Sequence, residues 1–270
     1  MIYIAILIIF ICVFIICDMR LKLVRYSIKT YKVKDKIRLA LVTDLHSCRY
    51  GDAQSRLISA IKAESPDAVV MSGDIFDDEL TDVEAWHFVN KAVDIAPCYY
   101  VTGNHELRRS DAEELFEQIE AKGVTVLHGN NSELSVGASK IRICGAEDPE
   151  VIGVAAMEQQ VESACDSGAL EEFSVLLAHR PDLIEMYSRH NVDLALCGHA
   201  HGGQWRIPGI LNGTFAPNQG IFPKLAGGFY EYENSEMIVS RGLARESTMI
   251  PRIFNRPELV IVDIENVTIE

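Results

Sequence analysis

Five short apolar runs in this chain each lead into a polar segment carrying Asp, Asn or His. Ile37 to Thr43 precedes T-D-L-H, Ala68 to Ser72 precedes S-G-D-I-F-D, and Cys98 to Thr102 precedes T-G-N-H-E. Ser174 to Ala178 precedes A-H-R-P-D, and Val192 to Cys197 precedes C-G-H-A-H-G-G. Runs of this length, rich in Val, Ile and Leu without polar alternation, read as strands buried on both faces. Between them, residues 53–63, 82–92 and 111–121 carry helical patterning, with Ser110 placed as an N-cap and Glu113 three residues on. Strands alternating with helices predict an α/β domain. Further strand-like runs at 124–127, 132–136, 140–144, 237–240 and 259–264 predict a second sheet. A chain of 270 residues, 48% hydrophobic, is long enough for one well-filled domain, placed at 37–270, plus an appendage.

The chemistry lies at the strand ends. Loops at the carboxyl ends of strands in an open α/β sheet converge on one crevice, so Asp44, His46, Asp74, Asp77, Asn104, His105, Glu106, His179, His199 and His201 are expected to share it. Carboxylate oxygens mixed with imidazole nitrogens suit Mn, Fe or Zn, whereas an all-oxygen set would suggest Mg or Ca. In extended backbone, residues i and i+2 face the same side, so D-x-H and H-x-H can each aim two donors at one centre. The glycines before Asp74, Asn104 and His199 are expected to let each strand end turn sharply. One Asp can bridge two ions about 3.5–4 Å apart, the arrangement that clamps a phosphoryl group for in-line displacement. A lone G-D or D-x-H carries little weight. The ordered set of five does.

That order, D-x-H, G-D-x-x-D, G-N-H-E, H and G-H-x-H, resembles the calcineurin-like metallophosphoesterase family over residues 37 to about 264. The resemblance implies a four-layer α-β-β-α sandwich of two mixed sheets with flanking helices. It implies two divalent ions, the first held by Asp44, His46, Asp74 and His201 and the second by Asp74, Asn104, His179 and His199. Asp74 would then be the bridge. It further implies a hydroxide between the ions as nucleophile, with His105 donating a proton to the leaving oxygen or stabilising the transition state. Asp77 and Glu106 are candidates for accepting imidazole N–H bonds and so fixing tautomers. Arg108, Arg109 and Arg180 follow the motifs closely enough to bind phosphate oxygens, although structural ion pairs are the commoner use of such arginines. His87, His128 and His190 match no motif. Residues 202–234, rich in Gly, Pro and aromatics, read as a long ordered loop beside the site, with Trp205, Phe215, Phe222, Phe229 and Tyr230 available to pack.

The first 17 residues carry no charged side chain, and with the apolar positions up to residue 24 they approach the roughly 20 residues that span a bilayer as a helix. They predict a transmembrane anchor at 1–24 and a basic juxtamembrane stalk at 25–36. Residues 18–38 hold eight Lys/Arg against two Asp, while the whole chain has a formal net charge of −14. By the positive-inside rule this predicts a single-pass cell-membrane protein with a cytoplasmic domain. The basic cluster also predicts contact with anionic lipid. An acidic body argues against nucleic acid as a stable partner. Seven scattered cysteines without a C-x-x-C pair do not form a disulfide framework. The anchor, the stalk and G-H-A-H-G-G-Q-W-R-I-P with P-K-L-A-G-G further on resemble the membrane-anchored branch of the family. That branch includes enzymes similar to those that split the pyrophosphate of UDP-diacylglucosamine. The expected activity is metal-dependent cleavage of a phosphodiester or pyrophosphate, including a lipid-linked one. The alternatives are a phosphomonoesterase or nucleotidase using the same site, and a non-catalytic scaffold on the same fold.

Overall fold

Two six-stranded mixed sheets stack face to face in the computed structural model, which describes residues 16–245 and 251–267. Across the first sheet the order is β1 (Lys22–Thr30), β14 (Glu258–Asn266), β2 (Ile37–Val42), β3 (Ala68–Ser72), β4 (Cys98–Val101) and β5 (Val124–Val126). Across the second it is β12 (Gly228–Tyr232), β13 (Ser235–Val239), β9 (Leu194–Cys197), β8 (Phe173–Leu177), β7 (Ser139–Gly145) and β6 (Asn131–Val136). β2 to β5 run parallel, as do β13, β9, β8 and β7. The motif-bearing ends of β2, β3 and β4 therefore open at one edge of the first sheet, and those of β8 and β9 at one edge of the second.

Strand alternation divides each sheet between two cores. Leu39 and Leu41 of β2 face the second sheet, in one buried cluster with Val70, Val175, Leu177, Leu196 and Val262. Ala40 and Val42 face outward toward helices α1 (Ser55–Glu64), α2 (Val83–Ala92), α3 (Asn104–Arg108) and α4 (Ala112–Ala121), meeting Leu57, Ile61, Phe88 and Ile119. Leu176, Cys197 and Met237 on the far side of the second sheet pack beneath α5 (Pro149–Ile152), α6 (Val154–Cys165) and α7 (Ile184–Tyr187) with Met157, Val161 and Tyr187. A slip of one residue in β2 would exchange these two sets, so burial fixes its register. The four-layer sandwich is the one expected. Ser110 does not cap α4, which starts at Ala112 behind Asp111 without a side-chain cap. Cys98, Cys144 and Cys197 are buried free thiols.

The N-terminal expectation is corrected. No helix among the described residues is long and apolar enough to cross a membrane. Residues 1–15 of the expected anchor lie outside the described residues. Where the anchor was to end and the stalk to begin, Lys22–Thr30 is an edge strand parallel to β14. Its pattern is that of a half-buried strand, with Ile28 buried and Lys22, Arg25, Ser27 and Lys29 exposed. The basic residues that suggested a lipid-facing stalk pair with acids of the body instead. Arg25 meets Glu64 at 2.6 Å, Lys32 meets Asp193 at 2.7 Å, Lys36 meets Asp263 at 2.6 Å and Arg38 meets Asp263 at 2.7 Å. Charges engaged in this way do not report orientation across a bilayer. The transmembrane helix, the membrane-anchored branch, the membrane as a partner and the single-pass, cytoplasm-facing placement are corrected to this extent: among the described residues no helix can cross a membrane, and the basic segment expected as a stalk is part of the folded domain.

The 202–234 loop also departs from expectation. It contains a small hairpin, β10 (Phe215–Ala216) with β11 (Gly220–Ile221). Trp205, Phe215, Phe222 and Phe229 are exposed, and of the five aromatics expected to pack only Tyr230 packs against the second-sheet core. Polar bonds hold the loop: Gln219 donates to the Leu225 carbonyl at 3.0 Å and accepts from the Leu225 amide at 2.9 Å, and Asn212 donates to the Tyr230 hydroxyl at 2.9 Å.

Candidate metal centre

Asp44 and His46 follow β2, Asp74 and Asp77 follow β3, Asn104, His105 and Glu106 open α3 after β4, His179 follows β8, and His199 and His201 follow β9. Asp44, His46, Asp74, Asn104, His179, His199 and His201 are all buried. The backbone that aims them is not extended, contrary to the i, i+2 expectation. Asp44 (φ 50°), His46 (46°), Asp74 (53°), His199 (64°) and His201 (46°) all lie in the left-handed region, which costs an ordinary residue roughly 1–2 kcal/mol. Cross-loop bonds offset part of that cost: the Asp44 amide donates to the Gly73 carbonyl at 3.0 Å, His46 to Asp74 at 2.9 Å and Ser47 to Ile75 at 3.0 Å. The glycines do two different jobs. Gly73 supplies a turn at φ 84°. Gly103 supplies space, because a Cβ there would lie 2.1 Å from Asp74 Oδ1.

Among the described residues four clusters could hold an ion, and two of them take up the expected ligands. Asp44, His46 and His201 form one, and Asp74, His179 and His199 form the other, each with donor atoms within 4.8 Å of one another. Asp74 Oδ2 lies between them, 3.5 Å from His46 Nε2 and 3.0 Å from His179 Nε2. All three atoms are buried, with no partner beyond the ion pair between His179 and Asp74, and His201 Nδ1 is buried without one. An orphaned buried polar atom costs about 1–3 kcal/mol, and a cation would satisfy the three that converge. The donor set therefore fits two divalent ions, with nitrogen and oxygen donors suited to Mn, Fe or Zn.

Outer contacts orient three of the four imidazoles. His46 Nδ1 is 2.9 Å from Asp77 Oδ2, His179 Nδ1 is 2.8 Å from the Ser72 carbonyl, and His199 Nε2 is 2.7 Å from Asn218 Oδ1. Asp77 thus takes the role expected of it. Glu106 does not: its carboxylate accepts from the backbone amides of Asp74, Ile75, Phe76 and Gly103 at 2.7–3.0 Å and touches no imidazole. Thr43 donates to Asp44 Oδ2 at 2.9 Å, and the His199 amide to Asp44 Oδ1 at 2.9 Å.

Charge is distributed accordingly. Burial works against a proton on His179, yet Asp74 and Asp44 outweigh it and raise its pKa to about 10. Burial also opposes charge on Asp74, but His179 and His46 hold it well below the usual carboxylate range. Burial, reinforced by the charge on His179, lowers His199 to about 3. Ion binding through His179 must therefore displace a proton.

A cavity of about 360 Å³ opens over these donors, lined by Asp74, Asn104, His105, Arg108, Glu150, His199, His201, Pro217 and Asn218. His105 stands at its wall with Nδ1 2.5 Å from Asp78 Oδ1, a partner outside the motif positions, and 3.8 Å from Asp77 Oδ2. Of the three motif-adjacent arginines, only Arg108 lines the cavity, its fork held by Glu150 at 2.6 and 2.8 Å. Arg109 is taken by Asp82 and Asp111, and Arg180 by Asp182. His87, His128 and His190 pair with Glu84, Glu147 and Asp166 away from the cavity. Asn218 and Glu150 carry no signal in the sequence, because neither sits in a motif.

Comparison with known proteins agrees with this arrangement. A family model described as calcineurin-like phosphoesterase matches residues 37–203. A Caenorhabditis elegans protein named putative metallophosphoesterase F40B5.2 is 29% identical over 181 residues, covering 62% of this chain and 37% of that one. Phosphodiesterase YaeI of Escherichia coli is 24% identical over 251 residues, covering 90% of this chain and 88% of that one. The chain spans between 37% and 46% of the length of the first curated relatives it matches. Among solved structures, the sulfate thiohydrolase SoxB of Thermus thermophilus superposes with a TM-score of 0.51 at 14% identity, over 84% of this chain and 53% of that one, a likeness of fold. With the family model matched over most of the chain and its motif residues gathered into two adjoining donor groups, this protein belongs to the calcineurin-like phosphoesterase family.

Proposed function

We propose that the chain is a two-metal phosphohydrolase that cleaves a phosphodiester or pyrophosphate bond. One observation carries the reading: Asp74 Oδ2 is buried and lies 3.0–3.5 Å from an imidazole nitrogen of each donor group. In this reading Asp44, His46, Asp74 and His201 hold one divalent ion, and Asp74, Asn104, His179 and His199 hold the other. Ions held by these residues would supply Lewis acidity toward the phosphoryl oxygens and toward an attacking water. The chain's own groups do the rest. Asp78 accepts from His105 Nδ1 and so favours the doubly protonated ring, whose Nε2–H is the proton handed to the leaving oxygen. The Arg108 fork, steadied by Glu150, offers its remaining N–H groups to a phosphoryl oxygen at the cavity wall. The likeness to a protein named phosphodiesterase along most of both chains supports the diester assignment.

The test is hydrolysis of bis(p-nitrophenyl) phosphate and p-nitrophenyl phosphate by the purified chain loaded with Mn²⁺. The diester should be cleaved faster. Asp74→Asn should lose both bound ions and turnover, whereas His105→Ala should keep the ions and lose about 10²–10⁴-fold in rate. Wild-type protein that binds two ions yet cleaves neither ester would refute the proposal, and faster cleavage of the monoester would reassign the substrate class.

A further inference from the structure

We propose that Asn218 is a positioning residue for the second ion site. Its side-chain oxygen holds His199 as the Nε2–H tautomer and so leaves the Nδ1 lone pair free for the ion shared with Asp74, Asn104 and His179. This rests on the two-metal reading above.

His199 presents its ring in the opposite sense from its neighbours. His46 and His179 are gripped at Nδ1, by Asp77 and by the Ser72 carbonyl, and aim Nε2 at Asp74. His199 is gripped at Nε2, 2.7 Å from Asn218 Oδ1, so only Nδ1 remains to face inward. That atom lies 3.0 Å from the inner end of the Asn104 amide. A neutral imidazole carries one hydrogen, and the nitrogen facing an oxygen acceptor takes it. With the hydrogen on Nε2, Nδ1 is a donor to metal. With the hydrogen on Nδ1, the second site would lose a ligand.

The Asn104 amide has two orientations with different meanings. With its nitrogen inward, it donates to His199 Nδ1 and its oxygen accepts from Arg108 at 3.1 Å, so protein partners alone satisfy it. With its oxygen inward, that oxygen lies 3.0 Å from His199 Nδ1, close enough for both to serve as ligands of one ion. The nitrogen-inward orientation, and the oxygen-inward one once an ion is bound, both require a lone pair on Nδ1, and hence the tautomer that Asn218 selects.

The outer contact on His199 Nε2 comes from the 202–234 loop and not from one of the five motif segments. Asn218 is placed there by the β10–β11 turn at φ 59°, a left-handed conformation that asparagine tolerates better than most residues. The Gln219 clamp on Leu225 holds the turn. Pro217 and Asn218 also line the cavity shared by His105 and Arg108. The loop that fixes the ligand is thus a wall of the substrate space, which couples loop placement to ion retention.

The experiment combines ¹⁵N-histidine NMR of the full chain, stripped and Zn²⁺-loaded, with Zn²⁺ titration and metal analysis of wild type, Asn218→Ala and Asn218→Asp. Wild type should bind two ions and show His199 as Nε2–H. Asn218→Ala should bind the first ion as wild type does and the second about 10–100-fold more weakly. Asn218→Asp keeps the acceptor and should restore the second ion, and it carries the test if the alanine variant fails to fold. Two ions at wild-type affinity in Asn218→Ala, or an Nδ1–H tautomer in wild type, overturns the proposal while leaving the two-metal reading intact. Fewer than two ions in wild type overturns that reading, and this proposal with it.

Discussion

Replacing Glu106 by Gln tests whether the donor groups depend on a buried carboxylate that touches neither an expected ion nor an imidazole. Its Oε1 accepts from the Ile75 and Phe76 amides at 2.7 and 3.0 Å, and its Oε2 from the Asp74 and Gly103 amides at 3.0 and 2.9 Å. Three of these donors, Asp74, Ile75 and Phe76, belong to the loop that carries Asp74, and Gly103 belongs to the loop that carries Asn104. Glu106 therefore ties together the two loops that meet at the second donor group. A glutamine keeps one oxygen but puts an NH₂ against the other pair of amides, so two hydrogen bonds to a charged acceptor disappear in a site closed to water. At about 1.5–3 kcal/mol for each such bond, the expected loss is about 3–6 kcal/mol. In a domain of this size 1 kcal/mol moves Tm by about 2–4 °C, so Tm should fall by at least about 6 °C. Thermal unfolding followed by circular dichroism reads the stability, and metal analysis after dialysis reads the ions. Glu106→Gln should melt lower and retain fewer than two ions. A Tm within about 1 °C of wild type, with both ions retained, would refute the clamp and the energies assigned to it.

Two further outcomes follow from the site. The folded-state pKa of His179 is raised from 6.5 to about 10, chiefly by Asp74 acting against burial, so its contribution to stability is complete below about pH 6.5 and lost as pH rises through about 10. Chelator-treated wild type should therefore lose Tm between about pH 7 and pH 10 more steeply than chelator-treated Asp74→Asn, and parallel profiles would contradict the assigned coupling. Gly103→Ala places a methyl group 2.1 Å from Asp74 Oδ1. That variant should fold, as judged by circular dichroism, yet bind fewer than two ions, and full occupancy would show that the loops yield more readily than their packing implies.

The strand ends and donor types are legible in the amino-acid sequence because both are local. Unbroken apolar runs such as Ala68–Ser72 report burial on both faces, and D-x-H or G-N-H-E names donors whatever lies across from them. Helix α6 is less visible: its buried positions Met157, Val161, Ala164 and Cys165 keep helical spacing, but among small and polar residues that weaken the pattern. The N-terminal region misleads for a related reason. Apolarity and positive charge suggest a membrane, whereas Lys22–Thr30 lies beside β14 and its neighbouring cations meet Glu64, Asp193 and Asp263, acids 39 to 227 residues away.

What the sequence determined by itself was the set of side chains able to bind cations and the order in which strands deliver them, since strand period and ligand chemistry need only neighbouring residues. Only the tertiary structure decided how those side chains are aimed. The left-handed turns at Asp44, Asp74 and His199, the four amides around Glu106, and the Asn218 contact that orients His199 all arise between segments distant in sequence. Ligand orientation depends on what each atom meets across space, and no local pattern records that.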